Sequence, residues 1–222
     1  MNRSTGSVMI ETLVALPVVL SVGFLVVQWA LIYEARAVVD HATLMAARAG
    51  AIENAKLDPM RNAFARALVG LNTPKKTATD FEYQFITQAL PTTREHARFR
   101  VLSPTHEAFA DHGERNNRGK AILPFRDLNH LPTTPGARSG LSVQEAAWLQ
   151  LEVTYGYPLI VPYANTLILR ALEATTRLRR IFDLRERRML DDGRLPLSTT
   201  VTVRMQSQPI KERHFIRRHD DK

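Results

Sequence analysis

A single carboxylate, Glu11, stands at the edge of a run that carries no charge from Thr12 to Tyr33. An ionised group at the rim of so apolar a stretch costs on the order of a few kcal/mol unless it meets water or a cation. Five positions before it lies Gly6, with Ser7 next in the chain. A second concentration of charge comes late in the sequence, at Arg177, Arg179, Arg180, Arg185, Arg187 and Arg188. Guanidinium groups gathered on one helix can rest on anionic lipid headgroups or take an acidic partner. Glu173, Asp183 and Glu186 lie among them, and at helical spacing such pairs also make an ordinary solvated face. Both readings of the arginines stand at this point.

Other arrangements that could carry chemistry fail on detail. Gly113 to Lys120 has the look of a phosphate loop, but five residues separate Gly113 from Gly119 where four are required, and Ala121 stands where Ser or Thr must hold the metal. Ser139 lies in Gly-Ala-Arg-Ser-Gly, which is not a nucleophile elbow. His96, His106, His112 and His130 are scattered, and none has a partner at metal-ligand spacing. Cysteine is absent, which removes disulfides, thiolate metal sites and a cysteine nucleophile. The chain is expected to have no catalytic residues, no metal and no cofactor.

Elements must position what remains. From Thr12 to Tyr33 a helix would extend about 33 Å, matching a hydrocarbon core of about 30 Å. Trp29 and Tyr33 stand near its far end, where amphipathic rings favour the membrane interface, and Glu34 and Arg36 mark the exit into water. Ahead of the run the chain carries only Arg3 and the terminal amine, and no Ala-x-Ala site follows closely. The segment is therefore expected to stay attached rather than act as a secretory signal. Arg3 on one side and Arg36 on the other leave charge bias indecisive about orientation. Pro17 inside the run is expected to kink the helix or unwind it locally.

The same helix is expected to continue to about Leu57, with a stripe of Val38, Ala42, Met45, Ala46, Ala49 and Ile52. Asp58-Pro59 then reads as the start of a second helix ending at Gly70, with Met60, Phe64, Ala67 and Leu68 on one face. Alternation predicts strands at Phe81–Tyr83–Phe85, at Phe99–Val101, from Leu149 to Tyr157, and from Thr199 to Met205. Ser103 to Gly140, rich in Pro, Gly, Asn and His, reads as a long loop. A helix from Ala164 to about Leu190 would carry the arginines. The expected class is α+β: a long amino-terminal transmembrane helix whose second half packs on a small antiparallel sheet.

The formal charge is +8, with the excess in the arginine cluster and at Lys211, Arg213, Arg217 and Arg218. On an exported domain such a patch does not serve nucleic acid, so none is expected as a partner.

The start, Gly6-Ser7-Val8-Met9-Ile10-Glu11 before an unbroken apolar run, resembles the processing site of bacterial prepilins and pseudopilins. Leu16-Pro17, the stretch Ala46-Ala47-Arg48-Ala49-Gly50-Ala51, and Val153-Thr154-Tyr155 with Tyr157-Pro158 carry the likeness further, to the TadE-like family of tight-adherence (Flp, type IVb) pilus systems. The resemblance implies a leader of residues 1–6, cut after Gly6 by a membrane aspartyl prepilin peptidase. A transmembrane and extended helix of residues 7–57 and an exported α+β domain of residues 58–222 would follow, with a pilin-like plan. It also implies a non-enzymatic minor pseudopilin or assembly component of the bacterial inner membrane, whose partners are the lipid bilayer, other pilins and pilus assembly proteins. A new α-amine on Ser7 is the natural partner for Glu11, and with Pro17 the pair would set helix registry. The competing class is an uncleaved, membrane-anchored periplasmic binding or enzymatic domain.

Overall fold

The computed structural model describes residues 4–72, 78–124, 128, 130–161, 163–174, 183–212 and 214–216. The chain forms two compact units, one of Met1–Arg36 with Gly156–Pro196 and one of Ala37–Tyr155 with Leu197–Lys222. Mixed helix and sheet, with a long apolar amino-terminal helix and a small antiparallel sheet, is the architecture the sequence led one to expect.

Helix α1 runs from Ser4 to Ile52 without a break. It stops about a turn short of Leu57, because Asn54 and Ala55 take left-handed conformations, with φ of 59° and 56°. That reversal is held from outside. Ala51 O accepts the N–H groups of Gln206 and Ser207, while the Asn54 amide donates to Gln208 O over 2.7 Å. Helix α2 (Leu57–Asn72) follows and continues through Gly70 rather than stopping there.

In the second unit the buried face of α1 is Val39, Ala42, Thr43, Ala46, Ala47 and Ala51. This face is turned from the expected stripe: Met45 and Ile52 are exposed. The smallest side chains face inward because the neighbours come close. A Cβ on Gly50 would lie 2.7 Å from Met60 Sδ and 3.0 Å from Leu149 Cδ2. Met60, Phe64 and Leu68 of α2 fill the core as expected, joined by Ala65 and Val69.

The three aromatics at Phe81, Tyr83 and Phe85 do not form a strand. They lie on α3 (Ala78–Gln84) and a π-helical turn, Phe85–Ala89, which leads into α4 (Leu90–His96). The helical period decides it, since Phe85 and Ala89 pack with Ala65 and Val69, Phe81 leans on the same cluster, and Tyr83 is left exposed. Pro91 cannot donate to the preceding turn, and the wider π turn just before it absorbs the missing bond.

Strand β1 (Ala97–Ser103) pairs antiparallel with β4 (Trp148–Pro158), Phe99 opposite Val153 and Arg100 opposite Glu152. Between them in sequence, the expected loop holds α5 (His106–His112) and a hairpin of β2 (Glu114–Arg115) and β3 (Ala121–Ile122), and a short α6 (Val143–Ala146) follows it. The sheet order is β1–β4–β5, with β5 at Arg194–Arg204. Central β4 buries every residue from Val153 to Tyr157, whereas β5 after Leu197 alternates exposed and half-buried residues. Thr199 of β5 donates a hydrogen bond to Asp40, tying the second half of α1 to the sheet.

The expected helix from Ala164 to Leu190 is divided. Helix α7 (Ala164–Ala174) and helix α8 (Leu184–Asp191) are separate, and Asp183 begins the latter as its cap, its N–H donating to Glu186 Oε2 over 2.9 Å.

Candidate functional site

Gly6 and Ser7 lie on the helical backbone of α1. Glycine weakens a helix by about 1 kcal/mol relative to alanine, so the first turns open most easily there. Ser7 and Glu11 are four positions apart, about 6 Å along the helix axis. Glu11 is exposed.

From Leu13 to Tyr33 the exposed surface of α1 carries no charge and is largely apolar, with Leu13 75 %, Val19 67 % and Val26 64 % exposed. The helix is long and apolar enough to cross a membrane. Large side chains bare on all sides of a helix have no stable place in water. Pro17 is exposed and the helix passes through it without unwinding. Ser21 Oγ donates to Pro17 O over 2.7 Å, one turn on.

Gln28 escapes a reading based on charge alone. It is wholly buried within the first unit, and its Oε1 accepts the Val161 N–H over 2.9 Å. Its Nε2 is buried with no partner among the described residues. A lone amide in an uncharged run was the signal. Nearby in sequence to Val161, Tyr157 has its phenol pKa raised, first by burial and then by the Glu34 carboxylate.

Of the arginines, Arg177, Arg179 and Arg180 lie outside the described residues. Arg185 and Arg188 are exposed on α8, and Arg187 is half-buried. Glu186 is engaged with the cap of its own helix.

A cavity of about 470 Å³ lies in the second unit, lined by Ser103, Thr105, Ser139, Leu141, Glu145 and Trp148 among others. Ser139 of that lining is held by its neighbours. Asp111 Oδ2 accepts from Arg138 N, Ser139 N and Ser139 Oγ at 3.0, 2.7 and 2.8 Å. Those bonds, led by the Ser139 N–H, hold the Asp111 carboxyl below the usual carboxylate range. The Ser139 hydroxyl thus fastens a turn, and His112 bonds Leu141 O rather than the serine.

Residues 6–48 match the family model of TadE-like protein. The first helix is similar to that family. The match opens at Gly6, covers Glu11, Pro17 and Gln28, and ends four residues before α1 does. TadE-like proteins are a pilus-associated structural family, which points to a component associated with a tight-adherence pilus and, with one apolar amino-terminal helix, to a single-pass membrane protein. No curated protein and no solved structure matches the chain.

Proposed function

We propose that this TadE-like chain is a minor pseudopilin or assembly component of a tight-adherence pilus, working through packing of its membrane helix against other pilins. The observation that carries this reading is the bare apolar surface of α1 between Leu13 and Val27, within the matched segment. Lipid covers such a surface in the bilayer, and neighbouring helices cover it in a filament. Prepilin peptidase removes residues 1–6, and the domain after the helix faces the periplasm. The new amine of Ser7 then meets Glu11 on the same or an adjacent subunit. An ion pair in an apolar bundle contributes little net stability, but it fixes register because mismatched subunits leave charge unpaired. Pro17 suits the same packing, since its missing donor frees a carbonyl one turn back for a neighbour. Exposed Arg185 and Arg188 would face anionic headgroups or an acidic partner.

The test is Glu11→Ala in cells that carry the cognate peptidase. Membrane fractionation is expected to find the variant at normal level, while sheared surface pili fall. Full piliation at normal protein level makes Glu11 an interfacial charge only. Intact mass of the parent chain is expected to begin at Ser7; a chain that keeps residues 1–6 supports the uncleaved, anchored-domain reading instead.

A further inference from the structure

Within the first unit one hydrogen bond fixes how the chain leaving β4 meets α1. Val161 N–H donates to the buried Gln28. Gln28 precedes Glu34 by six positions, so Val161 is held about 9 Å from the charged exit, alongside the uncharged run. Tyr157, before it, is within electrostatic reach of Glu34 itself. After β4 the chain therefore returns along α1, from the level where charges begin into the stretch where they are absent.

We propose that this returning segment, Leu159, Ile160, Val161, Tyr163 and the first turns of α7, is a second membrane-contacting element. It would lie in the boundary between headgroups and acyl chains at the Trp29–Tyr33 end of α1. The inference rests on the reading of α1 as a membrane anchor. Its side chains divide as an interfacial element requires. Leu159 and Val161 are 8 % exposed, whereas Ile160 is 65 %, Tyr163 74 % and Leu167 47 % exposed. Tyr163, Leu167 and exposed Arg170 follow at helical spacing, giving an apolar face that ends in a cation able to reach headgroups. Trp29 and Tyr33, 72 % and 75 % exposed, supply rings at the corresponding level of α1. Tyr163 sits at φ 64°, a conformation disfavoured for a bulky residue, and its ring is nonetheless turned outward.

Part of the backbone is suited to little water, since irregular chain at this depth needs its donors paired or removed. Pro158 and Pro162 have no N–H, Val161 N is taken by Gln28, and Asn165 N and Leu167 N reach Val161 O and Tyr163 O. A depth of about 9 Å also agrees with the roughly 5–10 Å at which interfacial helices settle.

The chain has no cysteine, so single labels can be placed at will. Ile160→Cys, Leu167→Cys, Val22→Cys and Tyr83→Cys, each spin-labelled in the full chain, would be reconstituted in phosphatidylcholine–phosphatidylglycerol vesicles. Collision with oxygen and with a water-soluble nickel chelate would then be compared. The oxygen-to-nickel ratio at 160 and 167 is expected several-fold above that at 83 and below that at 22. If 22 is deep while 160 and 167 match 83, the segment is in water and the proposal is overturned. If 160 and 167 exclude both reagents, a protein covers them and the lipid assignment fails. A water-accessible label at 22 removes the anchor and the inference with it.

Discussion

Between Leu13 and Val27 the apolar side chains of α1 are mostly bulky and bare; between Val39 and Ala51 those on one face are mostly small and buried. One helix thus carries two solutions to the same demand. In the first stretch, apolar mass is kept on the outside for a solvent of lipid or neighbouring helices. In the second, bulk is stripped away so that α2 and the sheet approach closely. Apolar content alone does not separate them, since both stretches are rich in it. Side-chain size does, and two glycines mark the contrast. Gly23 has open space where a Cβ would go, while Gly50 has Met60 and Leu149.

Substitutions at these places break or sharpen the contrast. The largest effect is expected from Phe64→Ala. Phe64 is fully buried with its ring 5.4 Å from Phe99 and 6.1 Å from Tyr155, edge to face. Thermal unfolding of the full chain in detergent is expected to record a loss of about 3–5 kcal/mol. Leu20→Ala, at a half-exposed site, should leave that transition in place. Comparable losses from both would mean that the two stretches share one core.

Gly50→Ala comes next, at about 1–3 kcal/mol, because the added methyl must displace Met60 and Leu149. The flexible thioether of Met60 favours the lower end of that range. An unchanged midpoint would show that this part of the interface has slack.

A smaller, pH-dependent effect is expected at His214. Its side chain is 8 % exposed, and Nε2 lies 2.9 Å from Ala55 O. Burial lowers its pKa below 6.5 and outweighs both that carbonyl and the Glu212 carboxylate 3.3 Å away, which favour the proton. The unfolded imidazole therefore binds a proton first as pH falls through about 6.5. Stability is full above that value and declines below it until the folded histidine also titrates. His214→Asn should flatten this part of the pH profile of unfolding while its amide still reaches Ala55 O; an unchanged slope would place the titration elsewhere. The smallest effect is Gly23→Ala, expected to shift the same transition by no more than about 0.5 kcal/mol. A drop in piliation without a change in unfolding would then assign Gly23 to helix contacts outside this chain.

How far the fold could be read in advance depended on which period a few residues follow. Strands β1, β4 and β5 are legible because apolar and polar residues alternate along them, although β4 buries both faces from Val153 to Tyr157. Phe81, Tyr83 and Phe85 alternate over too short a span to distinguish that from two helical neighbours and an outsider, and Ala89 was the missing member of the series. Residues 103–140 were judged by composition, which hid α5. Its cap, Thr105, accepts from the Ala108 N–H, yet follows Pro104 in a segment otherwise full of breakers. Asp183 reads in the sequence as an ion-pairing acid, yet it caps α8 with Glu186 three residues on. At the candidate site the segment around Gly6, Glu11 and Pro17 was visible from order and charge. Gln28 was visible as a polar residue but not as a contact, because its partner Val161 is 133 positions away.

The reversal after Ile52 is fastened by residues far along the chain, with Asn54 N bonded to Ser207 Oγ and Ala55 O to His214, separations of 153 and 159 positions. During synthesis the tip of α1 is made early and must wait for its fasteners. Loops of that length close slowly, though the added entropic cost grows only with the logarithm of their size. Until β4 and the carboxy-terminal segment are made, the alanine face has only α2 to meet it, and what it leaves open is methyl groups rather than large side chains. A nascent chain in that state offers chaperones and stray strands little to grip, so the small residues that permit close packing at the end also keep the unfinished protein quiet.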